Sequence, residues 1–194
     1  YGSHNHFYRV DAALLGVAAL VPTEPQVRLI IAGHLGWCAS EAAAARQLRR
    51  RIAELGLQDR VELRSRYSQE EALPLLRSAH ILLHLKYNDP CPRLVVEAMA
   101  CGLPIVYSAS GGVPELVGES AGVGLPVPGG WDRIQVPDPA ATAAAVQRIW
   151  AGYAAYRRAA RDRAVAAFDV QPWLERHREL FTSLCAQYTE HSAT

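Results

Sequence analysis

Hydrophobic and polar positions along the chain follow two alternating patterns, short apolar runs and longer stretches with helical periodicity. The apolar runs predict β-strands at residues 27–32, 61–64, 81–85, 105–107 and 123–127. A strand that is apolar on every side is typical of a parallel sheet, which is covered on both faces. The pattern therefore predicts a buried parallel sheet rather than a sheet with one solvated face.

Helices are predicted between these strands, and several of them have recognisable ends. Ser40 is a suitable N-cap for a helix that stops at Gly56, and Ser68 opens a capping box with Glu71 that leads into a helix to about residue 78. The other helices are predicted at residues 10–21 and 93–101, with one helical turn at 114–117. This alternation predicts an α/β fold, a Rossmann-like, doubly wound parallel sheet with right-handed crossovers.

The last part of the chain has no strand pattern. A loop at residues 129–139 precedes three predicted helices, at 140–152, 153–168 and 172–188. We expect one domain over residues 1–194, with these extra C-terminal helices added to the sheet. The third helix carries an apolar stripe, which either packs on this domain or faces a domain absent from this chain. The stripe consists of Trp173, Leu174, His177, Leu180, Phe181 and Leu184.

Composition and charge exclude several classes of function. The 194 residues are 50% hydrophobic and 20% charged, which is ordinary for a globular domain. The formal net charge of +1 gives no electrostatic case for binding nucleic acid or an anionic membrane as a bulk partner. No apolar run approaches the roughly 20 residues that a transmembrane helix needs.

Cysteines and histidines give no sign of a metal centre in the sequence. The four cysteines lack C-x-x-C spacing, which predicts reduced thiols in a cytoplasmic protein. His4 and His6 are interpreted as part of a solvated tail rather than as metal ligands.

The segment between Lys86 and Glu115 is the strongest candidate for chemistry. It joins the carboxyl end of a predicted parallel strand to a helix start, where unpaired N–H groups favour phosphate. Pro92 suits the first helical position, and Asp89 and Glu97 lie on either side of it. Each acid also has a structural interpretation, since Asn-Asp-Pro is a common turn and Glu97 is spaced for a helical ion pair with Arg93. Taken alone, the two neighbouring glycines that follow indicate only a turn.

Taken together, this segment resembles the sugar-donor-binding signature of the family-four type, or group 1, glycosyltransferases. That signature reads E-x-F-G-x-x-x-x-E-A-M-A-x-G-x-P-V-V, followed shortly by G-G-x-P-E. Residues 96–106 read VEAMACGLPIV, and residues 111–115 read GGVPE. The resemblance implies the GT-B fold, in which two Rossmann-like domains face each other, with this chain as the C-terminal, donor-binding half.

The resemblance also implies roles for individual residues. Glu97 corresponds to the acid that holds the ribose, and Asp89 to the acid beside the donor sugar. Further donor-binding positions are the amides of Arg93 and Leu94, the closely approaching Gly111 and Gly112, Glu115, and Tyr67 in a loop near the base. The implied reaction transfers a sugar from a nucleotide-diphosphate sugar to an acceptor, with retention of configuration and without a metal or other cofactor.

Three departures from the signature bear on the site. Asp89 replaces a longer glutamate, Cys91-Pro92 replaces Phe-Gly, and Tyr8-Arg9 replaces the Lys-Gly that carries a diphosphate-binding lysine. We hypothesise that Lys86 or Arg9 supplies the missing positive charge, Lys86 being a catalytic candidate with Asp89. A solvent-exposed loop lysine is the alternative interpretation of Lys86.

The expected partners of the chain are a nucleotide-sugar donor and an N-terminal acceptor domain that precedes it. At most Tyr1-Gly2 would remain of the family's first strand, and the helix at 172–188 would face the acceptor domain. The chain alone would then bind donor weakly and transfer little, and any membrane contact would be peripheral, through the absent domain.

Two alternative functions stay open, a non-catalytic nucleotide- or partner-binding module and a nucleotide-sugar epimerase. A dinucleotide dehydrogenase is disfavoured because no G-x-G-x-x-G follows a strand.

Overall fold

The computed structural model describes residues 3–192, and within them it forms an α/β fold. The strands are β1 (Ser3–His4), β2 (Leu29–Ala32), β3 (His34–Leu35), β4 (Val61–Arg64), β5 (Leu82–His84), β6 (Ile105–Ser108) and β7 (Gly122–Leu125). The helices are α1 (Phe7–Leu20), α2 (Glu41–Glu54), α3 (Gln69–Arg77), α4 (Arg93–Ala100), α5 (Val113–Val117), α6 (Pro139–Ala151), α7 (Tyr153–Phe168) and α8 (Val170–Ser192). Across the described residues no helix combines the length and apolar character needed to cross a bilayer.

Every strand pairing in the described residues is parallel. β5, β6 and β7 form one sheet in that order, while β2 pairs with β4 and β1 pairs with β3. The predicted α/β class with parallel strands is confirmed. Strands β1 and β3 were not predicted, because two-residue strands are too short to show an apolar period.

The chain's first strand differs from the prediction. It was expected to survive only as Tyr1-Gly2, which lie outside the described residues. Ser3 and His4 instead form β1 and pair in register with His34 and Leu35. That expectation is therefore wrong, and so is the interpretation of His4 as part of a solvated tail: His4 donates through Nε2–H to the carbonyl oxygen of Ala32 over 3.0 Å.

Strand β6 shows why this sheet is covered on both faces. All four of its residues are buried. Ile105 and Tyr107 belong to a cluster with residues of α4, α5 and α7, whereas Val106 belongs to a cluster with residues of α1 and α6. Alternate residues of a strand point to opposite faces, so an uninterrupted apolar run is what two helical layers require. A third cluster joins α1 and α2 to β2 and β3.

Helix α4 is positioned by its buried side and by its ends. Val95, Ala98 and Met99 are buried against the sheet and the neighbouring helices. Pro92 is the N-cap residue rather than the first helical residue that was predicted, and its extended conformation turns the chain into the helix. Gly102, with φ of 77°, adopts the left-handed conformation that ends it. The buried side of α4 and the residues at its two ends together fix its position.

The apolar stripe of α8 does not pack on this domain. The helix begins at Val170, two residues before the predicted start, and Trp173 and Phe181 are 48% and 60% exposed. Of the two interpretations, packing against the same domain is therefore wrong. By contrast, α7 contributes Ala160 and Ala164 to the core beside α4.

Met99 offers a test of the packing that positions α4. Met99→Ala removes a fully buried side chain and is expected to lower the free energy of unfolding by about 2–5 kcal/mol. Met99→Leu, which nearly conserves volume, is the matched control and should cost less than about 1.5 kcal/mol. Urea denaturation measures both, and equal losses in the two variants would contradict the packing described here.

Candidate functional site

The loop between β5 and α4, residues 85–92, brings polar side chains to the carboxyl edge of the sheet. Because β5, β6 and β7 are parallel, the segments that follow them leave the sheet at this same edge. Ligands of open α/β sheets bind at such edges, next to helix starts. We call residues 85–92 the β5–α4 loop.

Asp89 is the buried charge at the centre of this loop. The residue is only 8% exposed, and both of its carboxylate oxygens have partners. Oδ1 lies 3.1 Å from Lys86 Nζ, and Oδ2 lies 3.1 Å from His84 Nε2. The two sequence-predicted catalytic candidates, Asp89 and Lys86, are thus brought together, and a third residue joins them.

Lys86 keeps part of its side chain in solvent while it pairs with Asp89. Its side chain is 38% exposed, so the ammonium is neither buried nor the free loop lysine of the alternative interpretation. It is also the only lysine in the sequence. An ammonium has three donors, and a bond to Asp89 leaves others for a ligand.

His84 ends β5 and is 4% exposed. Burial lowers the pKa of His84 to about 4, against the opposing effect of the Asp89 carboxylate. The imidazole is therefore neutral at pH 7, and it donates through Nε2–H to Asp89. His84 was not among the predicted site residues, although it is a lone polar residue at the end of an apolar strand and this pattern could have indicated it.

Tyr87 and Asn88 fasten the β5–α4 loop to its surroundings. The backbone N–H of Tyr87 donates to the Tyr8 hydroxyl over 3.2 Å, and its own hydroxyl donates to the carbonyls of Pro128 and Gly130 at 2.8 and 2.9 Å. The N–H of Asn88 donates to Ser110 Oγ over 2.9 Å. The loop is thus tied to α1 and to the segments that follow β6 and β7.

Gly111 and Gly112 allow the loop after β6 to lie against the β5–α4 loop. The N–H of Gly112 donates to the carbonyl of Asp89 over 2.9 Å. A Cβ at Gly111 would overlap the carbonyl of Asp89, and a Cβ at Gly112 would overlap the carbonyl of Pro90. The close approach made possible by these glycines is therefore between two segments of the protein, which is a different contact from the one predicted with the donor.

The start of α4 presents Arg93 and Glu97 at the surface. Their side chains form an ion pair of 3.0 Å between Arg93 Nε and Glu97 Oε1, as the structural interpretation of that spacing predicted. The Glu97 side chain is nevertheless partly exposed and can accept bonds from a ligand. The backbone N–H groups of a helix's first turn have no acceptor within the helix, which leaves those of Arg93 and Leu94 to other partners.

Other predicted site residues meet in a cavity of about 170 Å³ between the β2–β4 pair and the β5–β6–β7 sheet. Arg9, Tyr67 and Leu94 line it together with His4 and His84. Burial lowers the pKa of Arg9, and the charge of Asp89 opposes that shift, so the two groups sense each other. Arg9, unlike Lys86, therefore lines this cavity.

Glu115 takes no part in the contacts just described. It lies on α5 with an exposed side chain, and its backbone carbonyl accepts from Arg163 Nη2 over 2.8 Å. Among residues 3–192, no group of three or more His, Cys, Asp or Glu side chains could hold a metal ion. The expected absence of a metal from the reaction stays a prediction.

Comparison with known proteins identifies relatives of this fold and of this segment. The model of the family described as glycosyl transferases group 1 matches residues 5–158. A D-inositol 3-phosphate glycosyltransferase of Streptomyces bingchenggensis is 31% identical over 121 residues, which cover 61% of this chain and 26% of that protein. The enzyme of the same name from Mycolicibacterium smegmatis is 37% identical over 95 residues, which cover 49% of this chain and 21% of that protein.

Solved structures show the same architecture. The sucrose-phosphate synthase of Thermosynechococcus elongatus is 27% identical, with a TM-score of 0.71 over 93% of this chain and 44% of that one. The Anabaena protein HepE, crystallised with UDP-glucose, is 25% identical, with a TM-score of 0.68 over 88% of this chain and 44% of that one. The chain thus spans less than half the length of these structures and about a quarter of the first curated relative.

The contact between the two loops can be tested at Gly112. Gly112→Ala is expected to lower the free energy of unfolding by about 1–3 kcal/mol, because its Cβ meets backbone atoms of Pro90 that no rotamer change can move. Gly129→Ala is the matched control, since a Cβ there would meet open space. Thermal unfolding followed by circular dichroism compares them, and equal melting temperatures would refute the loop contact.

Burial of neutral His84 predicts an acid-sensitive contribution to stability. Because its folded pKa of about 4 lies below the ordinary value of 6.5, the unfolded chain binds the proton more readily. The contribution is present in full above pH 6.5 and is lost as the pH falls toward 4. Between pH 7 and pH 4 the wild type should lose about 3 kcal/mol more unfolding free energy than His84→Gln. Urea titrations across that range measure the difference, which a parallel decline of both proteins would contradict.

Proposed function

The chain belongs to the group 1 glycosyltransferase family, and from this we propose that it is the sugar-donor-binding part of an enzyme that transfers a sugar from a nucleoside diphosphate sugar to an acceptor. The observation that best supports the proposal is the partly exposed Lys86 ammonium, held by Asp89 just before the start of α4. A cation in the loop that leads into a helix start is suited to a diphosphate, because the first-turn amides of a helix also favour anions.

The chemistry that we propose for this site is electrostatic. When the sugar–phosphate bond breaks, negative charge grows on the oxygen of the departing diphosphate. Lys86 and the amides of Arg93 and Leu94 would stabilise that charge, and donors that are already in place need no reorganisation as it develops. We assign Lys86 the direct contact, because its side chain reaches solvent whereas Asp89 is enclosed.

Asp89 has a different part in this proposal from the one the family resemblance implied. Both of its oxygens are bound within the protein, so its main task is to hold Lys86. Glu97 is the acid left for hydroxyl groups, and we propose that it accepts bonds from the ribose after exchanging its contact with Arg93. Tyr67, which lines the cavity, would lie toward the base.

The identity of the donor and the place of the acceptor are further parts of the proposal. HepE, which is similar to this chain, was crystallised with UDP-glucose, and this favours a UDP-linked sugar. We propose that the acceptor enters from a second domain, which would cover the exposed apolar stripe of α8 over residues 172–188. Transfer with retention, without a metal, is the form of the reaction that we propose.

Lys86→Met tests the diphosphate contact directly. We expect UDP to bind about tenfold or more weakly, because one charge-assisted bond to phosphate is lost. Binding of uridine, which has no phosphate, should not change. Arg50→Met on α2 is a matched control, since it removes an exposed cation whose ion pair is with Glu54 on the same helix. Isothermal titration calorimetry gives all the affinities, and unchanged UDP binding in Lys86→Met would overturn the role of Lys86.

Activity separates the proposed transferase from its alternatives. The protein that carries this chain, supplied with a radiolabelled UDP-sugar and candidate acceptors, should move the label to one of them. Conversion of the sugar nucleotide into an isomer without transfer would identify an epimerase. Tight UDP binding with neither reaction would identify a non-catalytic nucleotide-binding module.

A further inference from the structure

We propose that His84 is a positioning residue, which acts through Asp89 to hold the Lys86 ammonium where it meets the diphosphate of the donor. The inference rests on the proposed function, because that function assigns the diphosphate to Lys86. His84 itself lies within the protein and would touch neither the sugar nor the phosphates.

The three side chains form a line from the sheet to the surface. His84 is the last residue of β5, and its backbone is paired with Tyr107 in the middle strand of the sheet. Its Nε2 lies 3.1 Å from Asp89 Oδ2, and Lys86 Nζ lies 3.1 Å from Asp89 Oδ1. Exposure rises along this line from 4% at the His84 side chain to 12% at Asp89 and 38% at Lys86. The member whose backbone is paired within the sheet is therefore the one most distant from solvent.

Lysine needs such support more than other cations do. Its four-carbon side chain has many rotamers, and fixing it in one of them costs conformational entropy. Asp89 supplies one attachment, but a carboxylate with a single partner can still rotate about its side-chain bonds. With Oδ2 held by His84, Oδ1 is directed to Lys86, and the ammonium is ordered before a ligand arrives.

A neutral imidazole suits this task better than a second cation. It donates one hydrogen bond to Asp89 and leaves the negative charge of the carboxylate for Lys86. A positive charge at His84 would compete with Lys86 for that carboxylate. The low pKa that burial gives His84 keeps it neutral at pH 7, in agreement with the geometry.

Gln and Met at position 84 provide a matched pair of variants. The two side chains have similar length and volume, but only Gln carries an amide N–H that can replace His84 Nε2–H. We expect His84→Met to weaken UDP binding about fivefold to tenfold, and His84→Gln to stay within about twofold of the wild type. Uridine should bind all three proteins equally.

A double-mutant cycle separates positioning from a general structural effect. In the Lys86→Met background, His84→Met should change UDP affinity no further, because the group that His84 orders is gone. An undiminished effect in that background would show that His84 acts on the fold rather than on Lys86. Wild-type affinity in a folded His84→Met protein would also overturn the proposal.

The single lysine allows a readout that needs no bound ligand. In the chain labelled with ¹⁵N- and ¹³C-lysine, one side-chain NMR signal should report Lys86, shifting in His84→Met and staying near its wild-type position in His84→Gln. If His84→Met does not fold, the imidazole ¹⁵N shifts of the wild type decide: the proposal requires Nε2–H at His84, and the Nδ1–H form overturns it. If the wild type binds no nucleoside diphosphate, the proposed function fails, while the lysine signal still shows whether His84 orders Lys86.

Discussion

A buried carboxylate organises this edge of the molecule. Removing the charge of Asp89 from water carries a penalty of several kcal/mol unless donors replace the lost hydration. Those donors come from two places, the end of strand β5 through His84 and the loop itself through Lys86. Satisfying one charge therefore fixes the loop relative to the sheet, and the start of α4, a few residues later, is fixed with it.

The neighbouring loops are shaped to fit this arrangement. The backbone of Asp89 accepts from Gly112, and Asn88 donates to Ser110, so the segment after β6 follows the β5–α4 loop closely. Tyr87 extends the contact to the segment after β7 through the carbonyls of Pro128 and Gly130. The loops that follow the three consecutive parallel strands β5, β6 and β7 thus contact and stabilise one another. Because the site is shared among them, its precision depends on the sheet that spaces the strands.

Much of this could be predicted from sequence, and the exceptions have physical reasons. Apolar runs such as that around Val106 indicate strands because both faces are buried, and the segment from Glu97 to Glu115 is specific enough to indicate a family. The hydrogen-bond partners of Asp89 could not be predicted from sequence, because they depend on where strand β5 ends and on the direction of the His84 side chain. Strand β1 was too short to show a period. The exposure of α8 was undetermined, because an apolar stripe fits a core and an interface equally well.

Two departures from the family signature, at Tyr8 and at Asp89, both contact residues of the β5–α4 loop in the structure. The signature's lysine is replaced here by Tyr8, which lies in the first turn of α1 and whose hydroxyl accepts from the β5–α4 loop. A positive charge stands instead at Lys86, in a chain whose other side-chain cations are arginine and histidine. Aspartate is shorter than glutamate by one methylene, so its carboxylate stays close to its own loop, within reach of both Lys86 and His84. In the proposed diphosphate site, the cation lost at position 8 would be replaced by Lys86, which the shorter acid holds at 3.1 Å.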